Sequence, residues 1–184
     1  MRDLSASSHT QKIAKCYGWL VLHTKVQRFY FRLVAVLSGI ALLLYASSYW
    51  FTYTLNYTHS LPGTFYVIHK NAALKKGDLI AYRWQGGATY PSGTLFIKKL
   101  VGMPGDVVKR VDQSFWINGK HIGIAKEKSK TGAALLPAMD GVIAHQEYFV
   151  ATSHPDSLDS RYRFLRSNGN VQQQEVIGRA YEIF

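Results

Sequence analysis

Between Leu33 and Phe51 the chain carries no charged side chain. A helix of roughly 19 residues, at about 1.5 Å per residue, is about 28 Å long and matches the ~30 Å hydrocarbon core of a bilayer. Phe29, Tyr30 and Phe31 precede the run, and Tyr49, Trp50, Phe51 and Tyr53 follow it. Aromatic rings at both ends suit the two membrane interfaces. Arg2, Lys12, Lys15, Lys25, Arg28 and Arg32 crowd the N-terminal side against Asp3, and no lysine or arginine returns until Lys70. This asymmetry predicts a basic cytoplasmic lead-in over 1–32, a single transmembrane helix over 33–51 and an extracytoplasmic domain over 52–184. The rival is a cleaved signal peptide ending near Ala46-Ser47-Ser48. The long lead-in and long run favour an anchor. A core helix would normally show a polar stripe, which this run lacks.

Charge placement also bears on partners. The formal net charge is +11, a value compatible with nucleic acid or with an anionic membrane. Six of the basic residues lie in the lead-in, where membrane lipid is the simpler partner, so no nucleic acid is expected. The single cysteine, Cys16, excludes an intrachain disulfide.

From Ser60 onward short apolar runs alternate with turn residues, which predicts a mostly β domain. Expected strands are Phe65–Ile68, Leu79–Tyr82, Leu95–Val101, Val107–Val111, Phe115–Ile117, His121–Ile124, Tyr148–Ala151 and Val176–Ile183. Asn118-Gly119 between two of them is a two-residue hairpin signal. An exposed apolar patch is expected around Leu61, Phe65 and Tyr66, close to the membrane surface.

Three stretches bear on chemistry. Ile97-Lys98-Lys99-Leu100-Val101-Gly102-Met103-Pro104-Gly105-Asp106 reads as a strand entering a tight turn. Successive strand side chains point to opposite faces, so only one of the two lysines faces the interior. Desolvation drives a buried lysine toward its neutral form, and a neutral amine can act as a general base. Alternatively, both lysines snorkel to water along an edge strand. Ser60, in Thr58-His59-Ser60-Leu61-Pro62-Gly63, follows the apolar run closely. A serine needs a base to become a nucleophile, and a strand lysine can serve in a Ser/Lys dyad. The ordinary alternative is a turn serine. In Asp156-Ser157-Leu158-Asp159-Ser160-Arg161, Asp159 and Arg161 can pair across a turn, while a plain solvated loop fits the spacing as well. His154, Asp156 and Asp159 lack a metal-ligand spacing, so no metal is expected.

Taken in order, the anchor, Ser60-Leu61-Pro62-Gly63, the Ile97–Asp106 box, Phe115-Trp116-Ile117-Asn118-Gly119-Lys120 and the Asp156–Arg161 box resemble bacterial type I signal peptidases. The resemblance runs from Thr58 to the C-terminus. It implies a compact signal-peptidase-like β domain after one transmembrane helix, a Ser/Lys serine endopeptidase, and neither cofactor nor metal. It makes Ser60 the nucleophile and Lys98 the general base. The Thr58 hydroxyl and the Ser60 amide would bind the oxyanion. Ser157 would orient the Lys98 amine, and Asp159 and Arg161 would support the site. The implied substrate is a precursor protein, cut at the outer face of the cytoplasmic membrane.

Two departures qualify the match. The usual Ser-Met-x-Pro is one residue shorter here, as Ser60-Leu61-Pro62. Thr152-Ser153-His154-Pro155 replaces the usual Gly-Asp-Asn-Arg. Both are similar to the subgroup encoded with conjugative transfer systems, which matures pilin precursors and sometimes joins pilin ends. A housekeeping signal peptidase and a non-catalytic, membrane-anchored assembly scaffold are the alternatives.

Overall fold

The computed structural model describes residues 4–56, 61–87, 90–163 and 168–184, with side chains from Thr24 onward. The chain divides into two compact units, Met1–Tyr49 and Trp50–Phe184.

The first unit is one helix, α1 (Leu4–Ser47). Its Thr24–Ser47 portion is long and apolar enough to cross a membrane. The helix stops before the expected end at Phe51. The Ser47 and Ser48 hydroxyls donate to the Leu44 and Tyr45 carbonyls, at 2.9 and 2.6 Å, which occupies acceptors the last turn leaves open. Phe51 instead opens a strand, because Phe51-Thr52-Tyr53-Thr54-Leu55 is aromatic and β-branched and has a strand partner in Phe65–His69.

The second unit is mostly β. Its strands are β1 (Phe51–Leu55), β2 (Phe65–Lys70), β3 (Leu79–Arg83), β4 (Leu95–Gly102), β5 (Val107–Val111), β6 (Ser114–Ile117), β7 (Lys120–Ile124), β8 (Leu136–Pro137), β9 (Gly141–Val142), β10 (Glu147–Ala151), β11 (Tyr162–Arg163), β12 (Val171–Gln172) and β13 (Val176–Glu182). A seven-stranded sheet runs in the order β1-β2-β13-β3-β4-β10-β12. A four-stranded sheet, β7-β6-β5-β9, and the β11-β8 pair complete the unit. Every strand expected from the sequence is present, with ends moved by two residues at most. The additions are β1 and four two-residue strands, too short to leave a periodic signal.

The turn chemistry accounts for the connections. Asn118 (φ 48°) and Gly119 (φ 80°) both have positive φ in the two-residue β6–β7 hairpin, as a type I′ turn requires. Asp106 closes the turn after β4. It accepts from the Met103 amide (2.8 Å), Lys76 Nζ (2.8 Å) and Asn118 Nδ2 (2.7 Å). Burial pushes its carboxyl pKa up, but those hydrogen bonds outweigh burial and hold it below the usual range. Gly102 permits a close approach to Ile143 and Phe149. A Cβ there would stand 2.5 Å from Ile143 Cδ1 and 2.9 Å from Phe149 Cβ.

Two apolar clusters lie on opposite faces of the large sheet. The larger includes Ile80, Tyr82, Phe96, Leu100, Phe115, Ile117, Phe149 and Tyr162. The smaller comprises Tyr66, Ile68, Ala81 and Ala180. Tyr66 therefore does not belong to the exposed patch expected of it, because β2 turns its ring into this cluster. The aromatic surface nearby runs through Tyr53, Phe65 and Phe184, whose rings stack successively at 6.4 and 5.6 Å. Tyr53 and Phe184 are exposed.

Candidate active site

Strand β4 alternates strictly. Phe96, Lys98, Leu100 and Gly102 are buried, whereas Leu95, Ile97 and Val101 are half-buried and Lys99 is exposed. The two lysines thus lie on opposite faces of one strand, and Lys98 shares the face of the larger core. Only 5% of Lys98 is exposed. Burial pulls its pKa from 10.5 down to about 8, the nearby Asp159 carboxylate works against that fall, and Arg161 adds to it. Its ammonium sits 5.5 Å from the centre of the Phe96 ring. That ring is itself held by Trp84, stacked at 4.9 Å, and by the edges of Tyr82 and Tyr90.

Behind Lys98 lies a buried ion pair. Arg161 donates from Nε to Asp159 Oδ1 (2.8 Å) and from Nη2 to Oδ2 (2.9 Å), a two-pronged geometry that fixes both groups. Neither residue exposes more than 2% of its surface. Arg161 Nη1 also donates to the Ile124 carbonyl at 2.9 Å. Gly123 leaves room for it, since a Cβ there would stand 2.8 Å from Nη1. Asp159 accepts a further bond from the Thr152 amide (3.2 Å), and the Ser160 hydroxyl accepts from the Val150 amide (2.9 Å). The Asp156–Arg161 segment is therefore a wall of the core on its Asp159–Arg161 side, and only Asp156 reaches solvent as a polar loop would.

Lys98 and Ser157 line one cleft of about 640 Å³, together with Thr54, Leu55 and Asn56 at the end of β1. The Ser157 hydroxyl is buried and makes no hydrogen bond to any described residue, Lys98 included. Thr58 and Ser60 fall outside the described residues. The two ends of their loop are described, and both are held. The Asn56 amide donates to the Thr64 carbonyl at 2.8 Å. Its side-chain amide donates to the Leu61 and Gly63 carbonyls at 3.1 and 3.2 Å. The Tyr66 hydroxyl donates to the Pro62 carbonyl. The described base of the β1–β2 connection is thus closed by hydrogen bonds, and its Thr54–Asn56 side lines the cleft.

Three groups of cleft residues escaped the sequence reading. Asn56 left only the weak signal of an asparagine before a loop. Phe96 was one apolar strand residue among several. Lys126, Lys128 and Lys130 line the cleft from the loop after β7. Their spacing was visible, but nothing local told which way that loop faces.

A conserved-family profile described as signal peptidase, peptidase S26, matches residues 26–184, and the chain belongs to that family. Among curated relatives, Signal peptidase I T of Bacillus subtilis (strain 168) is 26% identical over 119 residues, covering 60% of this chain and 57% of that protein. Signal peptidase I U of the same strain is 27% identical over 120 residues, covering 56% of this chain and 62% of that protein. The chain therefore matches about three fifths of the length of these relatives. A crystal structure of a signal peptidase I from Enterococcus faecalis V583 aligns with 24% identity and a TM-score of 0.37, covering 59% of this chain and 97% of the other.

Proposed function

We propose that this chain is a membrane-anchored serine endopeptidase that removes leader peptides from secreted or membrane precursors. The observation that carries the reading is Lys98, a lysine of the core face with a pKa of about 8 in the wall of a cleft. An amine so poised is a usable base near neutral pH. In this reading Lys98 takes the proton of Ser60, whose oxygen adds to the scissile carbonyl. The Thr58 hydroxyl and the Ser60 amide receive the oxyanion. The protonated Lys98 then passes its proton to the leaving amine, and water releases the acyl group from Ser60. Asp159 and Arg161 hold the wall behind the amine, and the buried Ser157 hydroxyl, which is not bonded to Lys98 in this structure, would orient the amine by turning to it.

The anchor is the uncharged part of the Thr24–Ser47 helix from Leu33 onward, with the basic lead-in 1–32 in the cytoplasm and 52–184 outside. The exposed rings of Tyr53 and Phe184 suit a domain that works at a membrane surface. The substrate is a pilin precursor of a conjugative transfer system, a choice supported by the short Ser60-Leu61-Pro62 spacing and by Thr152-Ser153-His154-Pro155. Family membership fits a housekeeping signal peptidase equally well. Co-expression with a pilin precursor, followed by intact-mass analysis, separates the two. Loss of the leader supports pilin maturation, and loss of one further water marks joined ends. An unprocessed pilin beside a processed general secretory precursor would favour the housekeeping role. Activity of a periplasm-only reporter fused after Phe184 tests the orientation, and activity of a cytoplasm-only reporter there would reverse it.

A further inference from the structure

The cleft that holds Lys98 is strongly cationic. Among the described residues its lining includes Lys98, Lys126, Lys128 and Lys130 against a single carboxylate, Asp156. Asp156 is bound by Lys126 Nζ and lies 3.4 Å from Lys130 Nζ, so it draws both side chains toward its side of the cleft. Hydrogen bonding from Lys126 leads the causes that hold the Asp156 carboxyl below its usual range, so it stays ionised. Three outer lysines against one carboxylate leave two positive charges in excess. Lys128 has no carboxylate partner among the described residues. Glu127, between the lysines, does not line the cleft.

Beside these lysines is an open strand edge. On one side β4 pairs with β3 along Leu95–Lys99. On the other, β10 pairs with it only from Lys99 onward. Among the described residues, Leu95–Ile97 therefore keep one edge without a strand partner, and all three line the cleft. An extended polypeptide can add to such an edge by backbone hydrogen bonds, directing alternate side chains into the cleft. Neither a lipid headgroup nor a nucleic acid would use that ladder.

We propose that the cleft selects polypeptides with an aspartate or glutamate beside the bond to be cut, and that Lys128 and Lys130 are specificity-determining residues. This rests on the peptidase reading above and names its substrate class. The acidic side chain offsets the positive excess of the cleft while the strand edge holds the backbone. Because the lysine head groups reach solvent, the preference weakens as salt screens them.

The test uses the full chain in detergent micelles with Ser60→Ala, which leaves bound peptides uncut. The probes are fluorescein-labelled peptides sharing an Ala-x-Ala core, with one Glu, Gln or Lys walked across the positions flanking it. Anisotropy should give binding in the order Glu, Gln, Lys at one or two positions. Glu should bind about five- to tenfold tighter than Gln at low salt, as expected of one or two partly exposed ion pairs. In Lys128→Glu with Lys130→Glu the order should invert, with an unchanged melting temperature. Equal binding of Glu and Gln peptides at every position would overturn the inference and leave the peptidase reading intact. So would a Glu preference that survives the double charge reversal. Failure of every peptide to bind, together with unprocessed precursors in the wild-type chain, would overturn both.

Discussion

The two sides of the cleft use the same residue types in opposite ways. On the inner side, Lys98, Asp159 and Arg161 are buried, and the ion pair has two-pronged geometry. On the outer side, Lys126 and Lys130 meet Asp156 with their side chains well exposed to solvent, at 46% and 69% exposure. Desolvation makes charge on the inner side costly unless it is paired, and Asp159 and Arg161 are each fixed there by several partners. On the outer side water screens the pairs, which cost little to break and re-form. The inner side is therefore suited to holding a reactive amine in one place, and the outer side to accepting varied ligands.

The sharpest way to break this comparison is to move the base from the inner side to the exposed face of the same strand. Ser60→Ala, Lys98→Ala and Lys98→Arg should each lower precursor processing by roughly 10⁴-fold or more, since guanidinium cannot serve as a base at usable pH. Lys99→Arg should keep most activity. Processing at matched expression is the measurement, and an active Lys98→Arg protein would refute the dyad.

Next in size is the buried pair. Arg161→Met would leave Asp159 as an uncompensated buried charge and should cost about 3–5 kcal/mol, read from urea unfolding of the detergent-solubilised chain. If the loss matched that of an exposed pair, the inner side would not be the rigid one.

Lys98 itself gives a pH signature of comparable size. The rate should rise with pH as the amine deprotonates and level off above about pH 8. The stability effect has the same direction. Between about pH 8 and 10.5 the folded state binds fewer protons at Lys98 than the unfolded state, so stability rises with pH across that window. Below it, the buried ammonium costs up to about 3 kcal/mol. Lys98→Met should accordingly melt higher than wild type at pH 7, and the gap should close toward pH 10. A gap independent of pH would mean that packing, and not charge, sets the difference.

The smallest effect belongs to the outer side. Asp156→Asn should leave the melting temperature unchanged, because exposed ion pairs contribute little. It should still add to the positive excess of the cleft and strengthen Glu-peptide binding about twofold, read by the same anisotropy assay. A clear drop in melting temperature would show that the two sides are built alike.

Much of the domain was legible because its signals are short-range. Alternation along Leu95–Gly102, Asn118-Gly119 and the Gly-Met-Pro-Gly-Asp turn depend on side chains within a few residues. Phe51–Leu55 carries an ambiguous signal because its residue types serve a membrane interface as well as a strand, and the choice is made by Phe65–His69, ten or more residues later. Tyr66, expected at the surface, is buried for a similar reason, since β13 pairs beside β2 and brings Ala180 into the same cluster.

For the site, the sequence by itself placed two lysines on opposite faces of one strand and put Asp159 within reach of Arg161. It could not say which lysine faces the interior from alternation alone, since alternation has two phases. The family resemblance selected Lys98. In the tertiary structure the phase is set by which face of β4 meets Phe115, Phe149 and Leu158. Nor could it bring Lys126, Lys128 and Lys130 to the cleft of Lys98, because that meeting joins loops far apart in the chain. Local residue chemistry determines what each segment can become. Burial, and with it the pKa of Lys98 and the sign of charge in the cleft, is decided only when distant strands have packed and excluded water.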